Sequence, residues 1–229
     1  MTGPFPTNTR EQQMAASAAG GTDQQRALIL DEIVEVRSHL IDPSLVAVSA
    51  ALDEPRALAA ACYALPAYVR EVNREGAPRL WPFTGGYAAG RRRDELLLAA
   101  GYLIAAFEDH VLDAGQSVER RAILSRIRRL RGDLAGPTPG DPARSTRSSA
   151  IDALAFTAAC YALPVYAREL GRHAIPLLWP WPRGLYAQRE RGVELLLAAA
   201  MVLAEIERQD RFAASGRAAV VTAVAGGAP

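Results

Sequence analysis

The sequence of 229 residues contains no lysine, because all 26 of its basic residues apart from histidine are arginine. This absence fits a GC-rich coding bias, and it means that any anion site would use planar, bidentate guanidinium groups. Cysteine is nearly as scarce: Cys62 and Cys160 are the only two, and no Cys-X-X-Cys motif accompanies them. Each lies in an alanine-rich apolar run, so we interpret both as small buried hydrophobic residues.

Recognisable catalytic motifs are also missing. The sequence has no Gly-rich phosphate loop, no Ser-His-Asp order and no zinc-binding spacing. The formal net charge of +1 creates no field that would attract nucleic acid or a membrane surface. Apolar stretches are shorter than a membrane span, and the N-terminus lacks the pattern of a signal peptide. We therefore expect a cytoplasmic protein with no cofactor, no metal, no nucleic-acid partner and no membrane partner.

What the sequence does contain is a repeat. The hexapeptide Ala-Cys-Tyr-Ala-Leu-Pro occurs at residues 61–66 and again at 159–164, an offset of 98 residues. Two further blocks match, namely Leu-Trp-Pro at 80–82 and 178–180, and Glu-Leu-Leu-Leu-Ala-Ala at 95–100 and 194–199. The offset of the last block is 99, so one extra residue enters after the tryptophan of the second copy, which indicates a loop.

Each copy is predicted to contain three helices. They cover 24–40, 55–73 and 92–113 in the first copy, and 116–131, 149–172 and 190–212 in the second. Pro66 and Pro164 lie inside the middle helices and predict a kink or a break. No stretch alternates as a strand would, so we predict an all-α helical bundle of two tandem three-helix units related by a pseudo-two-fold axis.

These helices also predict how the chain is divided. The four predicted segments are a disordered N-terminus at 1–23, the first copy at 24–113, the second copy at 114–214 and a loose C-terminal tail at 215–229. Whether the two copies form one domain or two stays open at this point.

The end of the second copy carries a distinctive series of motifs. Trp179-Pro180-Trp181 is followed by Arg183, Tyr186 and Arg189, and then by Ala-Glu-Ile-Glu-Arg-Gln-Asp-Arg at 204–211. This series resembles the end of uncharacterised small phage and prophage helical proteins, which finish with a Trp-Pro-Trp loop and an Ala-Glu-Ile-Glu-Arg-X-Asp-Arg helix. The resemblance covers roughly 58–109 and 154–211, and it implies a phage origin more than it implies a reaction.

Aromatic residues and arginines in these loops are our candidate ligand site. Aromatic faces can stack on a planar base, and guanidinium groups next to a helix N-terminus can hold phosphate. The candidate residues are Trp81, Phe83, Tyr87, Arg92 and Arg93 in the first copy, and Trp179, Trp181, Tyr186, Arg189 and Arg191 in the second. The alternative is that the Trp-Pro motifs only pack the loops onto the bundle.

Three functional hypotheses follow. The favoured one is a non-enzymatic, phage-type binding protein that sequesters a small anionic, nucleotide-like ligand; the phage resemblance extends this to countering host immune signalling. The second is a helical structural or protein-interaction module, for which a homodimer or another protein partner stays open. The third is a degenerate all-α nucleotide pyrophosphohydrolase, in which Asp31, Glu32 and Glu35 would hold Mg²⁺. Its second carboxylate pair is missing, because Leu98 and Leu197 occupy the required positions.

The closing helix is rich in charge. It contains Glu205, Glu207, Arg208, Asp210 and Arg211, in which an acid and an arginine lie three residues apart at 205 and 208 and four apart at 207 and 211. We expect these side chains to form exposed ion pairs along the helix surface.

Overall fold

The computed structural model describes residues 9–40, 54–134, 152–171 and 174–225, with side chains for 22–40, 54–134, 152–171 and 174–215. Its helices are α1 Thr9–His39, α2 Pro55–Ala64, α3 Arg92–Asp113, α4 Arg120–Asp133, α5 Ala153–Ala162 and α6 Arg191–Ala225. The described ranges contain no strand, only isolated antiparallel bridges between Val72 and Pro78 and between Leu170 and Pro176. The all-α class is therefore confirmed. No helix in these ranges is long and apolar enough to cross a membrane.

Two short, alanine-rich helices lie at the centre of the bundle. Eight of the ten residues of α2 are buried, as are nine of the ten residues of α5. Small side chains let the helices approach closely, so α2 packs on both α3 and α5, and α5 packs on α6. The long helices α3 and α6 contact each other extensively, α1 lies against both, and α4 lies against α6. A single cluster of buried hydrophobic side chains draws on all six helices.

The prolines break the middle helices rather than kink them. α2 ends at Ala64 and α5 at Ala162, well before the predicted ends at 73 and 172. Proline cannot donate to the helix and disfavours helical backbone in the preceding residue, and Leu65 is extended with φ −64° and ψ 138°. After each break the chain makes one 3₁₀ turn, at Ala67–Val69 and Val165–Ala167. It then runs as an irregular loop to α3 or α6.

Helix ends elsewhere differ from the predictions to varying degrees. α3 spans the predicted residues 92–113. α1 begins at Thr9 and α6 continues to Ala225, so both enter segments predicted to be disordered or loose. The alanine and glutamine residues at 11–19 have high helix propensity, which outweighs the two glycines that follow them.

Burial in the core confirms the interpretation of both cysteines. Cys62 and Cys160 are free thiols, 2% and 0% exposed. The expectation for the closing helix is wrong for two residues, because Glu205 and Glu207 are buried. Glu205 pairs with Arg208 one turn away, whereas Glu207 receives a guanidinium from α1 and another from α4. Arg211, four residues further along the helix, also approaches Glu207 at 3.9 Å, as the spacing predicts. The two closer partners, Arg26 and Arg131, are far away in the sequence, so helix spacing alone could not identify them.

Candidate functional site

In the first copy, a buried guanidinium joins the end of α2 to the start of α3. Arg70 donates to the two carboxylate oxygens of Glu95 at 2.8 and 2.5 Å, and to the Tyr87 hydroxyl at 2.6 Å. Its Nε donates to the carbonyl oxygen of Leu65 at 2.7 Å. Burial alone lowers the pKa of Arg70, but hydrogen bonds and charge from Glu95 raise it by more, so the pKa lies above its ordinary value.

The second copy has the same arrangement. Arg168 pairs with both carboxylate oxygens of Glu194, and it donates to the Tyr186 hydroxyl at 3.1 Å and to the Leu163 carbonyl oxygen at 2.7 Å. Sequence reasoning aligned these residues but did not predict the pairing. The signal was present, because the arginine and the glutamate recur together in both copies. Tyr186, a predicted ligand residue, is therefore held in this frame through its hydroxyl.

Two predicted ligand arginines cap the short helices instead of facing solvent. Arg92 donates to the carbonyl oxygens of Tyr63 at 2.8 Å and of Ala64 at 2.5 Å. Arg191 does the same at the end of α5, where its donor distances to Tyr161 and Ala162 are 2.7 and 2.6 Å. The last carbonyls of a helix have no donors within the helix, so these contacts satisfy groups that burial would otherwise leave unpaired.

The same two arginines also connect the copies reciprocally. Arg191 of the second copy pairs with Glu54, which precedes α2 of the first copy. Arg92 of the first copy approaches Asp152, which precedes α5 of the second copy, at 4.0 Å. Both acidic residues adopt positive φ, 57° for Glu54 and 65° for Asp152. Each copy thus supplies an acidic residue to an arginine of the other.

Arg93 and Arg189 have different surroundings. Arg93 binds Glu32 of α1 at 2.7 Å and Asp210 of α6 at 2.8 Å, so it joins three helices. Hydrogen bonds to these two carboxylates raise the pKa of Arg93 above its ordinary value. Arg189 is exposed, in the loop that leads into α6. Its side chain interacts with the Tyr161 hydroxyl by charge and by a hydrogen bond, so both guanidinium groups have a protein partner.

The aromatic loop of the first copy is closed. Trp81 is 8% exposed and its indole nitrogen donates to the Gly85 carbonyl oxygen at 2.7 Å. The ring meets Phe83 edge-on at 5.5 Å and Tyr87 at 5.3 Å between centroids. Gly85 has φ +78°, a backbone conformation that favours glycine and brings its carbonyl back to the indole. No indole face of this loop is free to stack on a ligand.

The aromatic loop of the second copy is open. Trp179 and Trp181 are half-buried, and together with Arg183 they line a cavity of about 250 Å³. Trp181 is oriented by a hydrogen bond from its indole nitrogen to the Thr157 hydroxyl at 2.6 Å. The exposed Arg183 side chain has no hydrogen bond or ion pair to any described residue. The structure therefore brings together two of the predicted ligand residues and adds Arg183, which the sequence motif contained but the prediction left out.

Another cavity of about 400 Å³ in the first copy includes Tyr87 and Arg92 in its lining. It also contains Glu95 and Asp152, so its two arginines are matched by two carboxylates. This balance of charge makes it a weaker candidate for an anion than the open loop of the second copy.

The copies enclose a third cavity, of about 530 Å³, which we call the inter-copy cleft. Matching residues from the two copies face each other across it, namely Cys62, Leu65 and Leu80 opposite Cys160, Leu163 and Leu178. The sequence prediction missed this cleft because it forms only when the copies come together. Its three large rim residues, Leu80, Leu177 and Leu178, are 43%, 65% and 39% exposed.

The carboxylates that the pyrophosphohydrolase hypothesis assigns to Mg²⁺ do not form a metal site in the described part of the chain. Glu32 is paired with Arg93, while Asp31 and Glu35 are exposed. Among the residues described, no three His, Cys, Asp or Glu side chains lie close enough to hold a metal ion.

Comparison with known proteins adds no functional assignment. No protein-family model matches the sequence, and no curated protein or solved structure is significantly similar to it. The phage-type resemblance therefore stays a prediction from the motifs, and function has to be argued from the cavities and their side chains.

Proposed function

We propose that the protein is a non-enzymatic binding protein that takes a small planar, anionic ligand of the nucleotide type at the open aromatic loop of the second copy. The observation that carries the proposal is the cavity of about 250 Å³ where Trp179 and Trp181 meet Arg183, which has no partner among the described residues. Half-buried indoles offer stacking surface at little entropic cost, because they are already held in place. A guanidinium without a protein partner is free to bind phosphate bidentately.

Charge near this cavity also favours an anion. Arg189 lies exposed in the loop after the cavity and interacts with the Tyr161 hydroxyl, whereas Arg168 and Arg191 have carboxylate partners in Glu194 and Glu54. Arg183 thus supplies positive charge at the cavity itself, and Arg189 adds a further positive charge in the loop that follows. In this proposal Arg168 and Arg191 hold the loop in position and do not touch the ligand.

We also propose that the copies arose by duplication and keep a pseudo-two-fold relation. The reciprocal Arg191–Glu54 and Arg92–Asp152 approaches support it, since a two-fold axis generates each contact twice. The first copy then retains the frame with a closed loop, and the second retains the ligand site. A phage origin would make a host signalling nucleotide a natural target for sequestration.

Differential scanning fluorimetry against nucleotides, cyclic dinucleotides and ADP-ribose derivatives tests the proposal. A ligand at 100 times its dissociation constant stabilises the fold by about 2.7 kcal/mol, or roughly 5–11 °C in Tm for a chain of this size. Arg183→Gln should abolish the shift, whereas Arg121→Gln, an exposed arginine on α4, serves as the matched control and should keep it.

A second variant imitates the closed loop. Trp181→Phe installs the residue type that Phe83 provides in the first copy, and it should weaken binding by removing stacking surface and the bond to Thr157. A panel that stays flat at millimolar ligand refutes the proposal and leaves the helical interaction module as the remaining prediction. A shift that Arg183→Gln does not change would place the ligand elsewhere.

A further inference from the structure

We propose that the inter-copy cleft is a second binding site, separate from the aromatic loop, and that it takes a small amphipathic cation. The ligand class is an aliphatic body carrying one ammonium or guanidinium group. Three observations lead to this class: the size of the cleft, its apolar lining and a rim carboxylate that has no partner in the described part of the chain.

Size and lining suit an aliphatic body. The volume of about 530 Å³ falls within the roughly 300–1,000 Å³ that small-molecule sites occupy. Leu80 enters from the first copy and Leu177 and Leu178 from the second, all partly exposed to water. An aliphatic ligand would cover these side chains and remove apolar surface from water.

The two thiols at the base of the cleft are uncharged. Burial raises the pKa of Cys62 and of Cys160 to about 12, because desolvation penalises the thiolate. Both side chains therefore stay protonated near neutral pH and present soft, polarizable surface to the ligand.

The charged residues of the rim differ between the copies at one position. In the first copy, Glu71 pairs with Arg79 at 3.0 Å. The residues at the same offset in the second copy are Glu169 and Leu177, so the glutamate is retained and its basic partner is replaced by leucine. The Glu169 carboxylate makes no hydrogen bond or ion pair within the described ranges. A ligand cation beside Glu169 would play the part that Arg79 plays for Glu71.

Every other charged side chain among the described lining residues is already compensated. Arg70 is neutralised by Glu95 and Arg168 by Glu194, and both pairs are buried. With Glu71 matched by Arg79, Glu169 is the one lining carboxylate that has no partner among the described residues. A cation is therefore the complementary ligand charge, and an anion of the same shape is disfavoured.

Isothermal titration of the full chain with three octyl compounds of equal length tests this class. We expect octylammonium to bind saturably, roughly fivefold more tightly than octan-1-ol, as expected for one ion pair at a solvated rim. Octanoate should bind more weakly than octan-1-ol. Equal affinities for the three compounds, or no saturable binding of octylammonium at millimolar concentration, would overturn the proposal.

Variants then locate the site. Glu169→Gln should remove the preference for octylammonium over octan-1-ol, while Glu75→Gln, an exposed glutamate outside the cleft lining, should leave it unchanged. Leu80→Gln should weaken the binding of both compounds, because it replaces an apolar side chain on the rim by a polar one. If the preference survives Glu169→Gln, the cation binds elsewhere and the proposal is wrong.

The cleft and the aromatic cavity share Pro176 and Leu177, so the test has to separate them. Glu169 and Leu80 line only the cleft, and Arg183 lines only the aromatic cavity. Octylammonium binding should therefore persist in Arg183→Gln, whether or not that variant responds to nucleotides. Loss of octylammonium binding in Arg183→Gln would contradict a separate cleft site.

Discussion

Replacing Glu194 by glutamine tests the buried ion pair that supports the second copy. The Glu194 side chain is 2% exposed and binds the Arg168 guanidinium through both carboxylate oxygens, with a further approach from Arg191 at 3.3 Å. Glutamine keeps the shape and one acceptor oxygen but removes the negative charge. The Arg168 guanidinium, only 1% exposed, would then remain buried without a counter-ion.

The expected loss in free energy of unfolding depends on how many hydrogen bonds of Arg168 survive the substitution. Breaking a buried pair by removing one partner typically costs about 3–5 kcal/mol. Arg168 would keep its bonds to the Leu163 carbonyl and the Tyr186 hydroxyl, so we expect the lower end, about 3 kcal/mol. For a chain of this length that corresponds to a fall in Tm of about 6–12 °C.

Urea and thermal unfolding, followed by far-UV circular dichroism, give the free energy of unfolding directly. Glu71→Gln is the matched control, because the Glu71–Arg79 pair is exposed and its loss should change stability by about 1 kcal/mol or less. Glu95→Gln in the first copy should resemble Glu194→Gln. If Glu194→Gln proves no more costly than Glu71→Gln, the reasoning about an uncompensated buried charge is refuted.

Three further predictions concern stability and reactivity. Glu190→Ala removes a carboxylate that accepts two backbone N–H groups in the first turn of α6, and should cost about 1 kcal/mol. Those N–H groups hold the pKa of Glu190 below its ordinary value. The difference in free energy of unfolding between the variant and the parent chain should therefore be largest at neutral pH and should disappear as the pH falls through the lowered pKa. Cys62 and Cys160 should resist a thiol-reactive disulfide reagent until the protein unfolds; rapid labelling of the native chain would contradict their burial. Gly101→Val should lower the free energy of unfolding in urea by about 1–3 kcal/mol, because a Cβ there would lie 2.9 Å from the side chain of Leu40, which directly follows α1. An unchanged urea midpoint would show that this segment can shift without cost.

Periodicity and proline chemistry were sufficient to predict much of the helical framework. The apolar spacing placed α3 at 92–113, and Pro66 and Pro164 indicated where the middle helices stop. Both inferences depend on local geometry, since a helix repeats every 3.6 residues and proline lacks a backbone N–H group. Local rules of this kind are readable from one segment at a time.

The candidate site was harder to predict because its decisive contacts are not local. An arginine just before a helix can face a ligand or cap another helix, and the sequence of Arg92 does not distinguish the two. Its carbonyl partners lie at the end of α2, across an entire loop. Trp81 and Trp179 occupy equivalent positions, yet only the second borders an open cavity. Whether each loop closes depends on packing between elements, which the motif does not encode.

The central position of α2 and α5 has a consequence for hydrogen exchange. Both are too short to be stable as isolated helices. Most of their residues are buried, because α2 packs on α3, α5 packs on α6, and the two pack on each other. Amides near Ala60 and Ala158 cannot reach solvent by fraying of one surface helix, so their exchange requires opening of the whole bundle. Their exchange rates therefore report the global free energy of unfolding, and they should be the last deuterium labels to appear in either copy.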